Sequence, residues 1–214
     1  MKLHWSPSAP FVRKVMVAAH ALGLADRIEC VRSRVGPTRL NAELMVDNPL
    51  NKVPTLVLPD GTSLYDSRVI CDYLDALAGG GLVPVEPVAR WRVLRWQCLA
   101  DGMLDVTILL RDEHFRGDGH RSTAHLAAYA AKMRACLDAM EKEADALAAA
   151  GLDIGSIATG VALAYLDFRA PALEWRQGRP RLAAWESAFA EQPAMVAAPF
   201  GHEVGTKFAF YAME

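Results

Sequence analysis

The sequence lacks long apolar runs, blocks of like charge and closely spaced cysteines, and each absence excludes a class of protein. No apolar run among the 214 residues approaches the ~20 that a membrane-spanning helix needs. The net charge is −2 at pH 7 and no basic block is present, which argues against a nucleic-acid partner. The N-terminus, Met1–Pro7, lacks the apolar stretch of a signal peptide. We therefore expect a cytoplasmic protein with no membrane partner.

Disulfide and metal chemistry have little support in the sequence. The four cysteines lie far apart and form no Cys-x-x-Cys pair. Isolated cysteines in a cytoplasmic protein are usually packed free thiols, because that compartment keeps thiols reduced. The six histidines show no spacing typical of metal ligands, so we expect no metal site. The cysteines are Cys30, Cys71, Cys98 and Cys136.

The residues that are present are typical of a folded globular protein, with 52% hydrophobic and 22% charged. A chain of 214 residues is long enough for one large domain or two small ones. The Gly- and Pro-rich segment at residues 79–87 has the composition of a linker. We therefore predict two domains, residues 1–80 and residues 86–214.

Strand and helix patterns alternate in the first domain. Residues 1–5 and 27–32 are typical of short strands, and apolar residues at helical spacing between them end near Gly23. Such a β-α-β unit normally places its two strands parallel. Residues 55–58 and 63–65 are apolar runs on either side of an Asp-Gly turn, which predicts a β-hairpin. Residues 37–47, before the hairpin, favour only a weak, irregular helix.

Helical patterns follow the hairpin and fill the second domain. Asp66 is a good N-cap for the last helix of the first domain. Beyond the linker one long helix begins at Trp91, and an amphipathic helix runs over residues 126–147. Asp153 caps a mostly apolar helix, typical of a buried central helix, and residues 181–191 form another. The sequence thus predicts an α/β N-terminal domain in the order βαβ-ββα, followed by an all-α C-terminal domain.

Two loops of the first domain are candidates for ligand binding. At the first helix, Ala9 is the expected N-cap and Pro10 the first helical residue. The N–H groups and the positive end of the helix dipole favour a thiolate or another anion there. Pro54, which follows Lys52 and Val53, is either cis or trans. A cis bond turns the preceding backbone outward to pair with an extended peptide, whereas a trans proline simply opens the strand.

A third candidate is the helix start at Asp66 and Ser67. The N–H and hydroxyl of Ser67 suit a ligand carboxylate, and the carboxylate of Asp66 suits an ammonium group. The alternative is a plain N-cap with no ligand. Each of the three segments is unspecific when taken alone.

Taken together in this order and spacing, the three segments resemble the glutathione S-transferase family. The matching elements are Ser-x-x-x-Pro-Phe-Val-Arg-Lys-Val over residues 6–15, Asn-Pro-x-x-Lys-Val-Pro-x-Leu over residues 48–56, and Tyr-Asp-Ser over residues 65–67. The stretch Asp153–Arg169 is similar to the family's central C-terminal helix with its N-capping motif. The resemblance covers nearly the whole chain and is nearest to bacterial serine-type members. It implies a thioredoxin-like domain followed by an all-helical domain, usually in a homodimer.

The resemblance also implies roles for individual residues. The backbone of Val53 would pair with the cysteinyl part of glutathione. Asp66 and Ser67 would hold the γ-glutamyl end, and Lys52 would lie near the glycyl carboxylate. The glutathione-binding residues that we predict are Pro10, Phe11, Lys52, Val53, Pro54, Asp66 and Ser67.

Residue 9 departs from the family's pattern. In serine-type relatives the residue before Pro-Phe is the serine whose hydroxyl stabilises the thiolate, and here it is Ala9. Three alternatives stay open for the sulfur: the hydroxyl of Ser8, the hydroxyl of Ser6, or only backbone N–H groups near Pro10 and Phe11. The resemblance implies a glutathione transferase acting on a small hydrophobic electrophile. The alternative is a non-catalytic glutathione-binding or interaction protein.

In this family the electrophile binds between the two domains, and four residues of the long helix are candidates to line its site. Core packing is the favoured interpretation of the two apolar ones, and solvated surface that of the two polar ones. The tryptophans Trp91 and Trp96 are equally suited to a core or to dimer contacts. The four candidates are Met103, Leu104, Arg111 and His114.

Overall fold

The computed structural model describes residues 1–117 and 119–202. The predicted second domain extends to residue 214, so its last twelve residues lie outside the described part. The described chain divides into two compact units: residues 1–90 with 193–202, and residues 91–192 without residue 118. The first unit thus includes residues 193–202, which the sequence prediction assigns to the second domain.

The first unit contains a four-stranded sheet in the order β2-β1-β3-β4. β1 and β2 are parallel, whereas β3 is antiparallel to both β1 and β4. This arrangement confirms the predicted β-α-β unit and the hairpin. The strands are β1 (Lys2–Trp5), β2 (Glu29–Arg32), β3 (Thr55–Val57) and β4 (Ser63–Leu64).

Nine α-helices lie in the described residues. Two short 3₁₀ segments, Ala25–Arg27 and Pro171–Leu173, accompany them. In chain order the helices are α1 (Pro10–Ala21), α2 (Ala42–Asp47), α3 (Ser67–Ala78), α4 (Pro87–His114), α5 (Thr123–Lys142), α6 (Ala144–Ala150), α7 (Ile154–Arg169), α8 (Pro180–Ala190) and α9 (Pro193–Ala197).

The core of the first unit lies where α1 and α3 pack together and where α3 contacts β3. Val15 of α1, Leu74 of α3 and Leu56 of β3 are each fully buried. Burying one such side chain contributes roughly 1.5–3 kcal/mol. The predicted weak helix is shorter than expected, because Asn41 caps α2 by accepting a hydrogen bond from the Leu44 N–H at 3.1 Å.

A buried carboxylate secures the predicted linker. Asp75 near the end of α3 accepts hydrogen bonds from the N–H groups of Leu82 (2.7 Å) and Val83 (3.2 Å). Gly79 at the end of α3 has φ = 90°, a conformation that glycine adopts without steric cost. The linker is therefore anchored to the helix that precedes it.

Helix α7 is the central element of the second unit, as the sequence predicts. Thirteen of its sixteen residues are buried. Asp153 accepts a hydrogen bond from the Ser156 N–H at 2.7 Å, and Ser156 Oγ accepts one from the Asp153 N–H at 2.9 Å. This reciprocal capping box satisfies N–H groups that the start of a helix otherwise leaves unpaired.

Two predicted helix bounds in the second unit are wrong. The long helix begins at Pro87 rather than at Trp91, since proline suits the first helical position. The helix predicted over residues 126–147 is interrupted at Glu143, between α5 and α6. The Glu143 carboxylate accepts hydrogen bonds from the guanidinium of Arg95 and the indole of Trp96, and these contacts lie beyond any local pattern.

Candidate functional site

The sheet register brings the three candidate segments to one edge. His4 in β1 lies opposite Thr55 in β3, and Leu56 lies opposite Leu64 in β4. Because β3 is antiparallel to both neighbours, the end of β1, the start of β3 and the end of β4 meet at the same edge. The loop before α1, the segment 52–54 and the start of α3 all adjoin that edge.

Ala9 caps α1 without a side-chain hydrogen bond. Its backbone is extended, with φ = −88° and ψ = 119°, and Pro10 occupies the first turn of the helix. The Ala9 N–H donates to the Ser6 carbonyl at 3.3 Å, and the Ala9 carbonyl accepts from the Arg13 N–H at 3.0 Å. These contacts confirm the predicted N-cap. The first N–H groups of α1 therefore face the sheet edge without a capping side chain.

Both candidate hydroxyls belong to the loop before α1. The side chain of Ser8 is half-buried, and the described residues provide no hydrogen-bond partner for it. Ser6 already takes part in the turn before α1, where its carbonyl accepts from Ala9. At the other side of the helix start, the ammonium group of Lys14 lies 5.6 Å from the centre of the Phe11 ring. The helix start thus combines an aromatic ring, an adjacent cation and a hydroxyl.

The segment that leads into β3 is held by side chains. Asn48 is buried and donates through Nδ2 to Thr55 Oγ1 at 2.8 Å, and Thr55 Oγ1 donates to the Lys52 carbonyl at 2.9 Å. The Val53–Pro54 peptide bond is cis, which is one of the two alternatives left open by the sequence. The N–H and C=O of Val53 have no hydrogen-bond partner among the described residues. The side chain of Lys52 is exposed.

A second asparagine ties the same segment to the start of α2. Asn51 accepts from the Asn41 N–H and donates to the Arg39 carbonyl, both at 2.9 Å. Its φ of 53° lies in the left-handed region, which asparagine tolerates better than most residues. The sequence motif assigned no hydrogen bonds to these two asparagines. Their hydrogen bonds place the backbone of residues 48–53.

Asp66 and Ser67 begin α3 as predicted. Asp66 is exposed and extended, and its Oδ1 accepts from the Arg68 N–H at 2.9 Å, so Asp66 is the N-cap of α3. Ser67 is buried at the first helical position. A carboxylate has a second oxygen, so the cap leaves Asp66 able to accept from a ligand as well.

Sequence reasoning missed a cluster of charged residues between β1 and the end of α2. Lys2 Nζ and His4 Nε2 each lie 2.8 Å from Asp47 Oδ2, and His4 Nδ1 lies 2.7 Å from Ser33 Oγ. Alternation along β1 places Lys2 and His4 on one face of the sheet, which is the only sequence signal that points to the cluster. Hydrogen bonds from Lys2 and then from His4 lower the pKa of Asp47. The cluster fixes the end of α2, immediately before Asn48.

A lowered pKa in the folded state means that Asp47 stabilises the protein above its ordinary pKa of about 4 and loses this contribution as the pH falls through the lowered value. We expect the urea midpoint of the wild type to fall more steeply below about pH 4 than that of Asp47→Asn, which should be less stable at neutral pH. Asp72→Asn, at an exposed position on α3, is the matched control. Identical pH profiles for wild type and Asp47→Asn would contradict the role of the cluster.

The candidates on α4 differ in their surroundings. Met103 and Leu104 are fully buried, which confirms core packing. Arg111 is half-buried and donates to Asp112 Oδ1 through Nε (2.9 Å) and Nη2 (2.6 Å), so its interpretation as solvated surface is wrong. His114 is also half-buried, and burial followed by the charge of Arg121 lowers its pKa.

The two tryptophans differ in their exposure to solvent. Trp96 is only 2% exposed and donates to Glu143, so it belongs to the core. Trp91 is 67% exposed.

Among residues 1–117 and 119–202, no group of acidic, cysteine or histidine side chains could hold a metal ion. No helix in the same ranges is both long and apolar enough to cross a membrane.

Comparison with known proteins decides the family. Residues 8–77 match the glutathione S-transferase N-terminal domain, and residues 123–187 match the glutathione S-transferase C-terminal domain. The chain belongs to the glutathione S-transferase family. The sheet and the helical second unit are accordingly the thioredoxin-like and helical domains of the glutathione S-transferase fold.

Several relatives of this glutathione S-transferase family member are similar over most of their length. The uncharacterized GST-like protein YibF of Escherichia coli is 30% identical over 187 residues, covering 85% of this chain and 90% of that protein. A glutathione transferase family member from Pseudomonas fluorescens, crystallised with bound glutathione, is 42% identical with a TM-score of 0.91, covering 94% of this chain and 99% of that one. A glutathione S-transferase from Methylobacillus flagellatus, with glutathione bound, is 32% identical with a TM-score of 0.82, covering 92% and 98%.

Proposed function

We propose that this chain binds glutathione at the sheet edge and activates its thiol for attack on a small hydrophobic electrophile. The observation that carries the proposal is the likeness, at 42% identity over 94% of this chain, to the P. fluorescens protein with glutathione bound. A further structure from that organism, also 42% identical, contains S-(propanoic acid)-glutathione, in which the sulfur carries a substituent. The convergence of three ligand-binding segments at one sheet edge supports the proposal independently.

The peptide backbone of glutathione is proposed to bind Val53. The N–H and C=O of Val53 lack hydrogen-bond partners among the described residues. An extended ligand pairs with such groups in the way that an added β-strand does. The exposed ammonium of Lys52 attracts the glycyl carboxylate. At the other end, Asp66 attracts the γ-glutamyl ammonium, and the N–H and hydroxyl of Ser67 at the start of α3 bind the γ-glutamyl carboxylate. Pro54 supports this backbone segment.

Ser8 is proposed as the catalytic residue, and Ser6 is the alternative. The thiol of a free cysteine has a pKa of about 8.5, so little of it is ionised at neutral pH. A hydrogen bond from Ser8, together with the N–H groups near Pro10 and Phe11 at the positive end of α1, stabilises the thiolate and lowers that pKa. The thiol proton leaves to solvent. The sulfur lone pair then forms the S–C bond as the electrophile's electron pair moves to a leaving group or along an activated double bond.

Calorimetric titration with glutathione tests the binding site. We expect one molecule bound per chain at sub-millimolar to millimolar ligand, and weaker binding for Asp66→Ala, because the γ-glutamyl ammonium loses its carboxylate. Ser122→Ala, which removes the cap of α5, is a control of similar size outside the sheet edge. Absence of binding at millimolar glutathione would contradict the proposal.

Ala9 favours a second candidate function, a glutathione-binding protein without turnover. The position that carries the activating serine in similar proteins has no hydroxyl here. This candidate predicts measurable glutathione affinity and negligible conjugation across a panel of aryl halides, epoxides and activated alkenes. Turnover of any member of the panel would reject it in favour of the enzyme.

A homodimer is also proposed. Val69 and Leu77 on α3 are 48% and 37% exposed, and the spacing of eight residues places them on one face of the helix. An exposed apolar face of this kind marks an interaction surface, and most soluble oligomers are symmetric homodimers. Sedimentation equilibrium should give twice the mass of the chain, and a single-chain mass at micromolar protein would contradict it.

A further inference from the structure

A C-terminal segment of the first unit contacts the loop that carries Ser8. The Gly201 N–H donates to the carbonyl of Pro7 at 2.9 Å. A Cβ added at Gly201 would lie 3.2 Å from the Pro7 Cβ, closer than most such contacts, so the two backbones approach tightly. The contact joins residues almost two hundred positions apart to the turn just before α1.

Arg13 in the first turns of α1 holds the same segment a few residues earlier. Its Nε donates to the Ala198 carbonyl at 2.7 Å, and its Nη2 lies 3.4 Å from the Met195 carbonyl. Its guanidinium carbon lies 4.4 Å from the centre of the Phe200 ring, a stacking distance. Residues 195–201, here called the strap, are therefore fixed to α1 at one end and to Pro7 at the other.

The strap determines which way the Pro7–Ser8 peptide faces. The Pro7–Ser8 bond is trans, so its C=O and N–H point in opposite directions. Because the Pro7 carbonyl is held by Gly201, the Ser8 N–H is directed away from the strap. The turn from Ser6 to Ala9 fixes the other side of Ser8. Ser8 is thus oriented by two backbone hydrogen bonds that do not involve its own side chain.

We propose that the strap positions the N–H and hydroxyl of Ser8 for the glutathione sulfur. The positioning residues are Gly201 in the strap and Arg13 in α1, which holds the strap. This inference rests on the proposed glutathione site. Preorganised donors stabilise a charge without the cost of reorienting them, so a loop held in place lowers the thiol pKa more than a loose one. The strap acts on the sulfur only, because the γ-glutamyl and glycyl ends bind other segments.

The decisive comparison is Gly201→Pro with Gly201→Ala. Both add bulk beside Pro7, but only proline removes the N–H donor. We expect Gly201→Pro to raise the pKa of the bound thiol by about one unit, seen as ultraviolet thiolate absorbance against pH, which is up to a tenfold loss of thiolate at neutral pH. Glutathione affinity by calorimetry should change less than threefold. In Gly201→Ala, which keeps the N–H donor, the pKa of the bound thiol should stay close to its value in the wild type.

Arg13→Met provides a second route to the same result if Gly201→Pro folds poorly. This substitution removes the contacts of the guanidinium with the Ala198 and Met195 carbonyls and with the Phe200 ring. It should therefore also raise the pKa of the bound thiol. Val196→Ala, at a residue of α9 that is 61% exposed, is the control and should match the wild type. An unchanged thiol pKa in folded Gly201→Pro and Arg13→Met would overturn the proposal, and so would equal effects of alanine and proline at residue 201.

Hydrogen exchange tests the role of the strap independently of glutathione binding. Without any glutathione, the amide of Ala9, which donates to the Ser6 carbonyl, should exchange about tenfold faster in Gly201→Pro than in Gly201→Ala, because the loop opens more readily. Equal exchange rates in the two variants would overturn the proposed role of the strap, even if the wild type binds glutathione. Failure of the wild type to bind glutathione would reject the proposed function, and the exchange rates would still decide whether the strap holds the loop.

Discussion

Replacing Gly155 with alanine is expected to lower the free energy of unfolding by about 3 kcal/mol, the upper end of the usual cost of overpacking a buried site. An alanine Cβ at this position, in the first turn of α7, would lie 2.7 Å from the carbonyl oxygen of Val93 and 3.0 Å from the Cβ of Trp96. The oxygen belongs to the backbone of α4, so relief requires one helix to shift against the other. Urea unfolding followed by circular dichroism measures the change.

Gly102→Ala is the matched control for this prediction. Gly102 lies within α4, and among the described residues no atom outside the adjoining turns of its own helix would lie within 4 Å of an added Cβ. Alanine is favoured over glycine in a helix by about 1 kcal/mol, so this variant should be as stable as the wild type or more stable. A Gly155→Ala protein with the unfolding midpoint of the wild type would contradict the close approach of α7 and α4.

Ser8→Ala is expected to raise the pKa of the thiol of bound glutathione by about 1–2 units and to reduce turnover at neutral pH by up to about 10- to 100-fold. This range corresponds to the roughly 1.5–3 kcal/mol of a hydrogen bond to a charged group. Binding should weaken little, because the peptide ends of glutathione contact other residues. The measurements are the pH dependence of kcat/KM and the thiolate absorbance of the complex.

Two further variants identify the donor. If Ser6 supplies the hydroxyl instead, the loss of activity will follow Ser6→Ala and not Ser8→Ala. Adding Ala9→Ser to Ser8→Ala should restore activity, because it places a hydroxyl where serine-type relatives have it. Unchanged activity in Ser8→Ala would remove Ser8 from the mechanism and leave Ser6 or the backbone N–H groups of α1 as the donors.

The features that the sequence predicts correctly depend on neighbouring residues. The capping box of Asp153 and Ser156 spans three positions, and the hairpin depends on the turn at Asp60 and Gly61. Ala9 was identified as a cap because proline follows it. In each case the energetically important contact lies within a few residues, so a local pattern is sufficient.

The features that it could not predict depend on distant contacts. The break between α5 and α6 follows from Glu143 binding Arg95, 48 positions earlier. Arg13 binds Ala198 across 185 positions, and Lys2 binds Asp47 across 45. Charged and polar residues of this kind fit an exposed surface equally well in sequence, and only the fold brings their partners together.

The same distinction applies to the site. The motifs predict which segments form the proposed site, and the sheet register brings those segments to one edge because each lies at the end of a strand or the start of a helix. In the proposed site, the hydroxyl that would face the sulfur depends on how the loop from Ser6 to Ala9 is held, and the strap that contacts this loop comes from residues 195–201. A sequence pattern carries no information about that orientation.

A crystal structure of this protein soaked with glutathione would show the proposed site itself. We expect the N–H and C=O of Val53 to pair with the cysteinyl backbone and the sulfur to lie within hydrogen-bond distance of the Ser8 hydroxyl. Glutathione bound away from the sheet edge, or a sulfur directed away from residues 6–11, would contradict this expectation.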